Sequence, residues 1–193
     1  AGNRGIPTTP RDGSAIEITA LQKSTLDWLT SLGNFGFTGI KRGSAQFVTF
    51  AEWAQLLQES FEPEYFMTDL GYYKDTVIKS FIDNDHLSQE RQMRPNFLMA
   101  MAISPGLFDV RHARCALGLA EKHLTGPLGM RTLAPFEAAY RPNYENSFDC
   151  SDPTIARGAN YHQGPEWIWC MGFYLRAWLT FNISTADTSS ARK

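Results

Sequence analysis

The chain has 193 residues, of which 43% are apolar and 20% charged, with a net charge of −2. That length supports one domain with a real core, and the balance excludes a disordered or fibrous polymer. The near-neutral charge excludes a nucleic-acid or anionic-membrane partner held by bulk electrostatics.

Residues 1–13 carry Gly2, Gly5, Pro7, Pro10 and Gly13 and read as irregular, with a tight turn at Pro10-Arg11-Asp12-Gly13. Ser14 followed by Glu17 has the spacing of a capping box. It predicts a helix over 14–32, with Ile16, Leu21, Trp28, Leu29 and Leu32 as its apolar stripe. The Gly-rich stretch 33–48 suits a short hairpin around Arg42-Gly43. Thr49 with Glu52 makes a second capping box, and Phe50, Trp53, Leu57 and Phe61 share one face of the helix that follows. Residues 63–94, with Pro63, Gly71 and Asp83-Asn84-Asp85, read as a long loop, and a loop of that size is uncommon unless functional.

The run Phe97–Ile103 is apolar on every side, and its Ala and Met content favours a buried helix over a strand. Asp109 caps a further helix with the stripe Ala113, Ala116, Leu117, Ala120 and Leu124, ended by Gly126-Pro127. Residues 126–160 make a long Pro-rich connection. The last helix is predicted from Pro165 to about Phe181, and 184–193 is a Ser/Thr-rich, disordered tail. Trp28, Trp53 and Trp178 read as core, and His86, His112 and His123 as solvent-facing. The fold class is all-α, with paired inner and outer helices and loops gathered at one end into a cleft.

The most chemical stretch is Asn160-Tyr161-His162-Gln163-Gly164-Pro165-Glu166-Trp167-Ile168-Trp169. It places polar groups at the mouth of the last helix, with Glu166 as a first-turn carboxylate favoured there by the helix dipole. Such groups grip sugar hydroxyls and stack on pyranose rings, although an aromatic helix start can equally be core. Cys115, Cys150 and Cys170 form no CxxC pair and only four histidines are present, so no metal site and no cofactor is expected. Reduced thiols are the simplest reading and place the chain in the cytoplasm. There is no signal pattern and no apolar stretch near the roughly 20 residues of a membrane span. Asn182-Ile183-Ser184 matches a glycosylation acceptor at chance level.

Five separated phrases resemble one family in order: Asn3-Arg4-Gly5-Ile6-Pro7, Thr9 to Ala15, Arg94-Pro95-Asn96-Phe97, Gly126 to Met130 with Thr132-Leu133, and Asn160 to Trp169. That family is the eukaryotic glycogen debranching enzymes, in their C-terminal amylo-α-1,6-glucosidase module. The resemblance implies an (α/α)6 toroid, of which residues 1–183 supply about half. It also implies inverting hydrolysis of α-1,6-linked glucose at glycogen branch points, with a 4-α-glucanotransferase activity elsewhere in the longer chain. Glycogen or a limit dextrin is the implied partner, together with the remainder of that chain. The family's catalytic acid and base fall outside residues 1–193. Asp12 is the foremost in-chain candidate for the acid, its alternative being an Asp-Gly turn residue. Arg11, Asp12, Arg94, Asn96, His162, Gln163, Glu166 and Trp167 are the expected sugar contacts, with Arg94 and Asn96 open to a capping role instead. The alternative function is a non-catalytic α-glucan-binding module or a degenerate fragment.

Overall fold

The computed structural model describes residues 11, 13–33, 36–43, 46–77 and 90–183. Asp12, His86, the expected loop beyond 77 and the tail 184–193 lie outside the described residues. Helices dominate, in the order α1 (Ile16–Ser31), α2 (Phe50–Tyr65), α3 (Asn96–Ile103), α4 (Val110–Leu124) and α5 (Trp169–Asn182). Short strands join them in antiparallel pairs: β1 (Ser14–Ala15) with β6 (Thr76–Val77), β2 (Gly39–Arg42) with β3 (Gln46–Thr49), β4 (Phe66–Met67) with β5 (Tyr72–Tyr73), and β7 (Met130–Arg131) with β8 (Glu166–Trp167).

The packing order differs from the chain order. Helix α3 lies between α1 and α5, while α2 packs on α1 and α4 on α5. The centre falls to α3 because its residues are apolar all round, the composition of a helix buried on every side. Phe97, Leu98, Ala100 and Met101 are buried there against Ile16 and Ala20 of α1, and against Cys170, Tyr174 and Ala177 of α5. The stripe expected on α4 is the buried one. An aromatic knot closes the far side, where Phe61 stacks on Tyr65 at 4.8 Å and meets the edge of Phe108 at 4.8 Å.

Several expectations are corrected. Ser14 does not cap α1; it pairs with Val77, and the Ile16 amide donates to the Asp75 carbonyl at 3.1 Å. The carboxylate of Glu17 goes to Arg11 instead, so half of the box is taken by a stronger partner. The buried face of α1 is Ile16, Thr19, Ala20 and Leu26, leaving Trp28 59% exposed, and Trp178 of α5 is exposed as well. Helix α2 runs through Pro63 to Tyr65, held in its last turn by the buried pair Phe61 and Tyr65. His112 is not simply solvent-facing: its ring stacks on Phe66 at 3.7 Å and Nδ1 lies 2.8 Å from Glu62. The Thr49–Glu52 box and the hairpin before it stand as expected.

Helix α5 begins at Trp169, not Pro165. The Pro165 carbonyl accepts from the Thr132 amide at 3.2 Å, and residues 166–167 are drawn into β8 against β7. Gly164, at φ +130, turns the chain into that strand. Glu166 is therefore a strand residue, not a first-turn carboxylate.

Candidate functional site

Four separated segments converge on a cleft of about 380 Å³: Arg11 with Glu17 of α1, the start of α3 (Arg94, Pro95, Asn96, Met99), Thr132, and His162 with Trp169 and Cys170. That volume is in the range of small-ligand pockets, roughly 300–1,000 Å³. The walls mix apolar carbon with a few convergent polar groups.

Asp75 organises the polar side from behind. Its carboxylate is almost fully buried, with Oδ2 2.8 Å from Arg11 Nε and Oδ1 accepting from Asn96 Nδ2 at 2.7 Å. Arg11 completes the frame by donating from Nη2 to Glu17 Oε2 at 2.7 Å and to the Asp75 carbonyl at 3.0 Å. A second charge, Arg94, is buried beneath the floor and spent on acceptors. Its Nη1 donates to the carbonyls of Thr132 (3.2 Å) and His162 (2.5 Å), and its Nη2 to the side chains of Gln92 and Gln163, both at 2.7 Å. Arg94 is thus the tie that fixes residues 162–163 against α3, a role beyond the capping one considered from sequence.

The electrostatics follow from burial and these partners. Burial pushes the Asp75 carboxyl up, opposed by Arg11, Arg94 and the Asn96 amide. Burial pushes Arg94 down, opposed by Asp75. For Arg11 burial also pulls down, but the Glu17 bond and the charges of Asp75 and Glu17 leave it above its ordinary value. His162 is exposed as a residue, yet partial desolvation of its ring, then the charges of Arg94 and Arg11, hold it below the usual histidine value. Burial raises the Cys170 thiol to about 11, which leaves it inert at neutral pH.

Of the residues expected from sequence, the structure brings Arg11, Arg94, Asn96 and His162 to the cleft, and seats Gln163 buried under it as an acceptor for Arg94. Glu166 and Trp167 are not among the lining residues. Glu166 accepts from the Leu128 amide at 2.9 Å and faces Arg131 Nε at 3.4 Å, latching the 126–131 turn to β8. Trp167 stacks on Tyr161 at 4.6 Å and donates its indole N–H to the Tyr161 carbonyl at 3.2 Å. Their places follow from the strand pairing, which turns this segment toward β7. Sequence reasoning missed Glu17, read as a capping partner, Trp169, read as helix interior, and Asp75, which sat in an apparent loop.

Among the described residues, no helix is long and apolar enough to cross a membrane, and no group of three or more His, Cys, Asp or Glu gathers as for a metal ion. Against known proteins, a family model described as amylo-alpha-1,6-glucosidase matches residues 1–192. The glycogen debranching enzyme of Saccharomyces cerevisiae is 40% identical over 202 residues, an alignment that takes in 96% of this chain. The chain spans 13% of that relative's length.

Proposed function

Because the chain belongs to the amylo-alpha-1,6-glucosidase family, we propose that its cleft is part of a sugar subsite. Its ligand is the α-1,6-linked glucose of a branched α-glucan such as glycogen or a limit dextrin. The observation that carries this is the convergence of an amide, an imidazole and an indole, contributed by Asn96, His162 and Trp169, on a charge-balanced frame. Hydroxyls need fixed donors and acceptors, and a pyranose face needs a flat apolar partner. A half-exposed indole at the cleft edge supplies the second.

Hydrolysis in an inverting enzyme needs an acid to protonate the leaving oxygen and a base to activate water, with carboxyl groups roughly 6.5–9.5 Å apart. The two described carboxylates nearest the cleft are committed: Glu17 is gripped by the Arg11 fork and Asp75 is buried behind it. The chain's part is then to bind and orient the sugar, while the reacting carboxylates come from Asp12 or from the remainder of a longer chain. In such a chain the 4-α-glucanotransferase activity occupies a separate region. The packing order, with α1, α3 and α5 side by side and α2 and α4 outside, supports an arc of an (α/α)6 toroid formed by residues 1–183.

The test uses the intact debranching protein carrying Trp169→Ala and, separately, His162→Ala. Each is expected to raise KM for a branched limit dextrin by about tenfold, the loss of one good contact, with little change in melting. Unaltered KM in both variants removes the cleft from sugar binding.

A further inference from the structure

Among the described residues Asn96 is the one side-chain amide lining the cleft, and its orientation is set from outside it. A carboxylate offers only acceptors, so the Asp75 contact obliges the Asn96 nitrogen to point at Asp75. The Nδ2···Oδ1 distance is 2.7 Å, and Asp75 is 4% exposed. Among the described residues no group bonds the other end of the amide, Oδ1, and Asn96 lines the cleft.

We propose that Asp75 is a positioning residue: it holds the Asn96 amide by its nitrogen, so that Oδ1 is kept as a fixed acceptor and the site reads one ligand hydroxyl as a donor. The same carboxylate steadies Arg11, whose guanidinium takes up Glu17 and so keeps that carboxylate from competing for the hydroxyl. Burial makes this one-way setting durable. Water does not reach Asp75 to offer the amide another partner, and an unpaired buried carboxylate is costly. The asymmetry matters because sites built to bond a hydroxyl reject analogues lacking it far more strongly than apolar pockets reject a misfit. Asp75 touches no ligand and acts only through Asn96 and Arg11.

This rests on the sugar reading above, and the test separates the two. In the intact protein, competition by D-glucose is compared with competition by the set of its mono-deoxyfluoro derivatives, whose fluorine cannot donate. The unaltered protein is expected to disfavour one of these derivatives by about tenfold, the loss of one hydrogen bond. In Asp75→Asn, residue 75 can donate or accept, the amide of residue 96 is free to turn, and that ratio is expected to fall below about threefold, by the same conversion. In Asn96→Ala, which keeps the Asp75–Arg11 pair, the ratio collapses likewise. A merely structural Asp75 would weaken all the sugars together and leave the ratio intact, which overturns the assignment. Should Asp75→Asn not fold, a ratio retained in Asn96→Ala overturns it equally. If the unaltered protein binds none of these sugars, the glucan reading itself falls and takes this assignment with it.

Discussion

Gly164 shows how one backbone angle decides where the cleft wall lies. At φ +130 it adopts a conformation closed to most side chains, its amide donates to Thr132 Oγ1 at 2.9 Å, and a Cβ would sit 2.7 Å from the Tyr140 ring. Gly164→Ala is expected to cost about 2–4 kcal/mol, strain plus overpacking. Gly33→Ala, also at positive φ but with open space around it, should cost only about 1 kcal/mol. Urea unfolding of both variants checks the pair. His162 has a pH signature. Its folded-state value lies below the unfolded one, so between the two the unfolded chain holds a proton that the native chain lacks. Its contribution to stability is therefore intact above about 6.5 and lost as pH falls through that range. An NMR titration of His162 should give a midpoint below 6.5, and His162→Gln should flatten that part of the pH–stability curve. At this scale sequence brought forward Arg94, Asn96 and His162 because they sit in dense polar phrases. Asp75 carried no such mark, since only tertiary burial distinguishes it from any other aspartate in a loop.

The two helix starts with Ser/Thr-x-x-Glu spacing make a natural pair of controls. In α2 the box closes: Thr49 Oγ1 accepts from the Glu52 amide at 3.1 Å and Glu52 answers to the Thr49 amide at 2.8 Å. In α1 it stays open, because Arg11 claims Glu17 and β1 claims Ser14. Thr49→Ala should then cost about 1 kcal/mol, and Ser14→Ala under about 0.5 kcal/mol, as read from denaturant midpoints. Equal losses would show that Ser14 caps α1 in solution after all. The same contrast measures what was legible among the elements. The amphipathic α4 was readable because local pattern and tertiary packing agree there, and the cap of α2 because it is local; of the face expected on α2, only Phe61 is buried, beside Ala54 and Tyr65. Pro63 and the Gly164-Pro165 step misled because punctuation residues bound a strand as readily as a helix. The short strands had too few residues to show any alternation.

At the scale of the molecule, the described surface carries much apolar area. Leu175 and Leu179, one turn apart on α5, are 53% and 52% exposed, and Ile168 just before the helix is 77% exposed. Monomers seldom tolerate large contiguous patches of this kind. The 193-residue chain by itself is expected to associate in a concentration-dependent way and to bind a hydrophobic dye. Leu175→Glu with Leu179→Lys should reduce both. Sedimentation as a clean monomer with no dye signal would show instead that these faces need no cover. The mostly helical architecture was legible from periodicity alone; the neighbour relations among the helices were not, since they depend on contacts far apart in the chain.

Arg94 reaches across 68 residues to the His162 carbonyl and across 69 to the Gln163 side chain. Closing so long a loop is slow and comes at an entropic cost that local helices never meet. During synthesis, α1 to α4 can form while the guanidinium of Arg94 still lacks two of its acceptors. The cleft floor is thus among the last features to be set, and a ribosome stalled before residue 162 would hold a nascent chain with helices but no completed cleft.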